Sequence, residues 1–130
     1  MPQTALKKRR PIWYNLSLFN LPLPGIVSIL HRISGALLFL LIPAILYLLQ
    51  ASLRSPQSFD ALMQVLRHPL SKLVLCGVLW AFVQHTLSGI RLLLLDVHLG
   101  SDLQTARASA RVVLWLSPAF TLLLIWIFLL

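Results

Sequence analysis

Three long apolar runs dominate the chain, and polar residues gather between them. From Ile26 to Leu49 the polar interruptions Ser28, His31, Arg32 and Ser34 all fall near the start. A run of this length crosses the roughly 30 Å of bilayer hydrocarbon as a helix. Pro24 is well placed to open it, because a missing N–H costs nothing in a first turn, and Pro43 inside it predicts a kink. Leu73 to Leu95 forms a second span, and Val112 to Leu130, with Pro118 inside, a third. Between the first two, Phe59, Leu62, Met63 and Leu66 repeat at helical spacing beside polar residues, the pattern of a short amphipathic helix lying on the membrane surface. Gly100 and Ser101 mark the second turn, where Ser101 with Gln104 fits a capping box that starts the third helix before it reaches the bilayer. Before about Pro24 the chain reads as an extended arm that becomes interfacial, since Trp13 and Tyr14 favour headgroup depth. A disordered tail is the other reading of its proline content. The expectation is an all-α membrane protein with one domain over residues 1–130: an arm over 1–24 and spans near 26–49, 73–95 and 112–130.

Composition agrees, with 58% hydrophobic and 11% charged residues among 130, which excludes an ordinary soluble domain. Eleven Lys and Arg stand against three acidic residues, for a net charge of +8. In a soluble protein this excess would suggest nucleic acid. Here the cations cluster at the ends of apolar runs, so they set orientation in a bilayer, and no nucleic acid is expected. Lys7, Lys8, Arg9, Arg10 and Arg32 precede or begin the first span, and Arg91, Arg107 and Arg111 flank the second connection, against Arg54, Arg67 and Lys72 on the other side. The N-terminus is therefore expected in the cytoplasm and the C-terminus in the periplasm. The basic run from Lys7 leads into a Pro-containing polar stretch, not into the apolar core and small-residue site of a cleaved signal peptide. Arg9-Arg10 is a weak twin-arginine pattern.

Cys76, the single cysteine, excludes an internal disulfide and any iron–sulfur cluster that this chain's cysteines alone could ligate. There is no Gly-rich phosphate loop, so flavin or nucleotide chemistry belongs to a partner. Three spans also have little volume for a large cofactor, which suggests that helices of another chain complete any such site.

The candidate chemistry centres on His85-Thr-Leu-Ser-Gly-Ile-Arg91, a histidine, a glycine and an arginine inside an apolar helix. Ionisable groups in hydrocarbon are costly and point to a site by default. By helical rise His85 lies about 16 Å before Asp96, roughly half of the bilayer core. A neutral imidazole at that depth suits an axial ligand to haem iron. Gly89, one turn on, leaves room for a macrocycle or a close helix. A histidine merely hydrogen-bonded to a neighbouring helix fits equally well. Ser28 and Arg32, at i and i+4, share a face in the first turns of the first span. That pair suits a quinone, whose carbonyl oxygens need donors and whose reduced anion is stabilised by a fixed cation. His31, on an adjacent face close to headgroup depth, could reach a haem propionate. Plain interfacial anchoring by a snorkelling Arg32 is the competing account. Arg91 could pair with Asp96 or with an acidic group on a cofactor, or snorkel. His68 and His98 read as loop residues, and Cys76 as a small buried apolar one.

The string SILHRISG from Ser28 to Gly35, preceded by Arg10-Pro11 and followed by HTLSGIR and Asp96, closely resembles the cytochrome b556 membrane-anchor family of succinate dehydrogenase, respiratory complex II. The match spans nearly the whole chain in order, spacing and hydropathy. The resemblance implies a three-span anchor of the bacterial inner membrane that pairs with a second small anchor subunit to complete a bundle and binds one haem b between them. It implies docking of an iron–sulfur subunit and a flavoprotein on the cytoplasmic side, so that FAD and the iron–sulfur clusters lie only in partners. By motif position, His85 would be this chain's axial ligand, Ser28 and Arg32 would fall at the ubiquinone pocket, and His31 near the haem propionates. Leu92 departs from the pattern, since a histidine commonly follows the arginine there, and this removes a propionate contact from that position.

Two other classes compete. A haem-free structural anchor of a fumarate reductase-type complex would have no need of an imidazole at mid-depth. A small transporter would need polar residues along a path, and the third span offers only Ser117 and Thr121.

Overall fold

The computed structural model describes residues 21–128. The expected arm, with Trp13, Tyr14 and the Lys7–Arg10 run, lies outside the described residues apart from its last few positions. Four helices follow in order: α1 Leu23–Ser52, α2 Pro56–Arg67, α3 Pro69–Asp96 and α4 Leu103–Phe128. Among the described residues there is no strand. Helices α1 and α3, and Leu103–Ile127 of α4, are long and apolar enough to cross a membrane.

Helix boundaries follow local chemistry. Pro22 caps α1 in an extended conformation and Pro24 sits in the first turn, so the helix begins earlier than Ile26. It runs on through Pro43 to Ser52. Helix α2 opens with a reciprocal cap: Ser58 N–H donates to Ser55 Oγ at 3.1 Å, and Ser55 N–H to Ser58 Oγ at 3.0 Å. Its apolar side, with Leu62, Met63 and Leu66 half-buried, packs against α1 and α3, as expected of an amphipathic connector. His68, expected to be a plain loop residue, ends α2 and caps α3, its Nδ1 accepting from Leu70 N–H at 3.2 Å. With Pro69 following, α3 starts one turn before Leu73.

Between α3 and α4, His98 adopts φ 63° and Gly100 φ 72°. His98 N–H donates to Leu95 O and Leu99 N–H to Leu94 O, both at 2.9 Å, which closes the last turn of α3 in the manner usual for a glycine at His98's place. The start of α4 departs from expectation. Asp102, not Ser101, is the cap, and its Oδ2 accepts from Thr105 N–H at 2.9 Å. A carboxylate is the stronger acceptor for these orphan amides. That bond holds the Asp102 carboxyl below the usual carboxylate range.

The three long helices converge on a small core of Val27, Ala110 and Val113, with Leu23, Leu87 and Leu114 against it. Much of the rest of the interior is small or polar: Ser34, Ala81, Gln84, Ser88, Ser117 and Thr121 are all buried. Without a hydrophobic drive between helices in lipid, close backbone approach over small residues and hydrogen bonds across or along helices hold such a bundle. Gln84 Nε2 donates to Ser88 Oγ at 3.0 Å, and Thr121 Oγ1 to Ser117 O at 2.8 Å. The large apolar side chains point outward, including Phe39, Leu40, Tyr47, Trp115 and Trp126. In water such a surface would aggregate; against lipid or neighbouring helices it is the stable arrangement.

Candidate functional site

His31 on α1 and His85 on α3 meet face to face, with ring centroids 4.2 Å apart and planes 8° from parallel. The helices are built for this approach. Four residues after each histidine stands a glycine, Gly35 and Gly89, and each lies against the other helix's imidazole. A Cβ at Gly35 would fall 2.8 Å from His85 Cε1, and one at Gly89 would fall 3.5 Å from His31 Nε2. A Cβ at Gly89 would make only ordinary contact, so of the two glycines Gly35 is the one that this close approach requires. Gly35 was not singled out from sequence, although the His-x-x-x-Gly spacing on both helices carries the signal.

Polar contacts then fix the His85 ring. Its Nδ1 lies 3.2 Å from the His31 main-chain carbonyl and 3.4 Å from Ser34 Oγ. A carbonyl only accepts, so the proton belongs on Nδ1, and in a neutral imidazole the lone pair is then on Nε2. This is the tautomer that a histidine needs in order to ligate a metal through Nε2 while its other nitrogen is held by a hydrogen bond. Among the described residues no group of three or more His, Cys, Asp or Glu could hold a bare metal ion.

The two histidines share one level, whereas the sequence placed His31 shallower than His85. By helical rise His31 is about 12 Å inside α1, and its stacking on His85 brings both to the same level. Ser28 and Arg32 sit on either side of His31 in sequence, Ser28 half-buried and Arg32 exposed, so the cation lies at the rim of the histidine pair. Thus α1 and α3 bring together His31, His85, Gly35, Gly89 and Ser34, with Ser28 and Arg32 adjoining on α1.

Arg91 does not join them. It is turned about 120° round α3 from His85 and only 6% exposed. Its Nε donates to Ser109 Oγ at 3.0 Å, and its terminal nitrogen to the Ala106 carbonyl at 3.0 Å. In place of the expected pairing with Asp96 it clamps onto α4, because two oxygens of the returning helix lie within reach. Leu92, at heptad spacing from His85, shares its face of α3.

A family model for the transmembrane subunit of succinate dehydrogenase and fumarate reductase matches residues 7–124. The chain belongs to this family. It is similar to the succinate dehydrogenase cytochrome b556 subunit of Coxiella burnetii, with 37% identity over 94% of this chain and 99% of that one. It is also similar to the cytochrome b556 subunit of Paracoccus denitrificans, with 33% identity over 92% of each chain. As a family member with three bilayer-length helices, the chain is a multi-pass membrane protein, and the sequence resemblance to the succinate dehydrogenase anchors holds.

Proposed function

We propose that this chain, as one anchor domain over residues 1–130, is the haem-bearing membrane anchor of a succinate:ubiquinone oxidoreductase. In this reading it ligates one axial position of a haem b through His85 Nε2 and supplies Ser28 and Arg32 to the ubiquinone-reduction site. A second small anchor subunit contributes the other axial histidine, and an iron–sulfur subunit and a flavoprotein, which carry the clusters and FAD, dock on the cytoplasmic face. The complex sits in the bacterial inner membrane, with this chain's N-terminus cytoplasmic and C-terminus periplasmic, as the basic residues favour. Catalysis needs the whole complex.

The observation that carries the reading is the bond of His85 Nδ1 to the His31 carbonyl, which leaves Nε2 free as a neutral nitrogen ligand in a water-poor setting. It supports His85 over His31 as the ligand, since His85 is the one whose ring nitrogen is held from outside its own helix. Haem bound there would supply one-electron redox chemistry. This chain's residues do the rest: Gly35 admits the His85 ring, His31 flanks the ligand and is available to a propionate, and Ser28 and Arg32 offer a hydroxyl and a fixed cation to the quinone carbonyl oxygens.

The test is the spectrum of the purified, succinate-reduced complex. A low-spin b-type signature is expected, abolished or strongly altered by His85→Leu and only modestly shifted by His31→Leu. An unaltered bis-histidine signal in the His85→Leu complex would overturn the assignment and favour a haem-free anchor role for this chain.

A further inference from the structure

We propose that Ser34 is a positioning residue for His85, holding the imidazole in the Nδ1–H tautomer and fixing its rotation through the side-chain hydroxyl; this rests on the reading of His85 as the haem ligand. Ser34 is only 2% exposed. Its hydroxyl donates to the His31 carbonyl at 3.0 Å, the ordinary back-bond of a serine within a helix. The second direction is not ordinary. With its proton committed to the carbonyl, the Oγ lone pairs are free, and His85 Nδ1 lies 3.4 Å away on the facing helix. The Nδ1–H therefore faces two acceptors, the carbonyl oxygen at 3.2 Å and Ser34 Oγ, a three-centre arrangement.

The rest of the slot controls a different freedom. His31 covers one face of the His85 ring at 4.2 Å, and Gly35 lies close to its Cε1 edge. Both restrict tilt and translation, but neither tells one ring nitrogen from the other. Only the acceptors at Nδ1 do so, and of these only Ser34 belongs to a side chain and is open to replacement. Hydrogen bonds accepted from the distal nitrogen of a metal-bound histidine raise its basicity and tune the metal. Loss of one acceptor makes the imidazole a weaker donor and stabilises the oxidised iron less.

Ser34→Ala should therefore raise the haem midpoint potential and displace the low-field g value of the oxidised complex, with haem content near that of the unmodified complex. Ser34→Thr should restore both, because a helical threonine makes the same bond to the i−3 carbonyl. Assembled complexes of Ser34→Ala, Ser34→Thr and His85→Leu are compared by redox titration, electron paramagnetic resonance and haem content. An unshifted potential and g value in Ser34→Ala, with His85→Leu spectrally altered, overturns the role of Ser34 alone. Equal shifts in Ser34→Ala and Ser34→Thr also overturn it, since packing and not the hydroxyl would then be the cause. An unaltered His85→Leu spectrum removes the ligand assignment itself, and the role of Ser34 with it.

Discussion

Gly35→Ala tests the contact between α1 and α3 most directly. The added methyl would sit 2.8 Å from His85 Cε1 and 3.1 Å from Nδ1, where ordinary contact begins at 3.4 Å. The ring must retreat by about half an ångström, which stretches the 3.2 Å contact to the His31 carbonyl beyond hydrogen-bonding range. Overpacking of this kind costs about 1–3 kcal/mol and the lost bond about 0.5–1.5 kcal/mol. Replacing a mid-helix glycine with alanine returns up to about 1 kcal/mol, so a net destabilisation of about 1–3 kcal/mol remains. Two alanine variants serve as internal standards. At Gly77 nothing lies within 4 Å, and at Gly89 the nearest atom, His31 Nε2, is 3.5 Å away, so both should be neutral or stabilising by up to about 1 kcal/mol. Unfolding of the three variants in mixed micelles gives the ranking, and the haem spectrum of each complex reports on the ring. If Gly35→Ala matches Gly89→Ala in stability and leaves the spectrum unchanged, the imidazole does not rest against Gly35 and the geometric argument for His85 fails.

Arg32→Leu should lower succinate–quinone turnover on the order of ten-fold or more, the effect of losing one charge-assisted bond of roughly 1.5–3 kcal/mol, while succinate oxidation by a soluble dye persists; unchanged quinone turnover in an assembled complex removes Arg32 from the site. Reporter fusions after Gly100 and after Leu130 should be active in the cytoplasm and the periplasm respectively, and the reverse pattern refutes docking of hydrophilic partners at the arginine-bearing face. Because the folded Asp102 carboxyl titrates below its ordinary value of about 4, its capping contribution is present above that value and is lost as pH falls through the folded one. Protection factors for hydrogen exchange at Thr105 and Ala106 should fall in acid in the unmodified chain but show no such step in Asp102→Asn, and identical profiles would assign the acid response elsewhere.

Hydropathy made the three spans legible, because a run of about 20 apolar residues has few alternatives to crossing a bilayer. Helix ends were less so. Ser101 and Gln104 satisfy a capping pattern on paper, but Asp102 offers a better acceptor at the next position, and spacing alone does not rank the two. His68 looked like loop because its capping depends on a ring nitrogen reaching Leu70 N–H, which composition does not reveal. In the site, His85 stood out because imidazole is costly in hydrocarbon. That His31 stands level with His85 was hidden, since it depends on α1 starting at Leu23 and on how far α3 slides along it. The α4 clamp of Arg91 was not legible because its partners, Ser109 and the Ala106 carbonyl, belong to a helix whose register the sequence leaves open. Ser34 and Gly35 were hidden because their importance is defined by the facing ring.

The Arg91 clamp bears on biogenesis. A guanidinium entering the bilayer alone must find oxygen partners or stay at the interface. Here both partners arrive within the next 18 residues of the same chain, so α3 and α4 can leave the insertion machinery as a hairpin in which the guanidinium already has its partners. One consequence is a division of labour in assembly: the partners of the guanidinium come from within the α3–α4 hairpin, while those of the His85 ring come from α1.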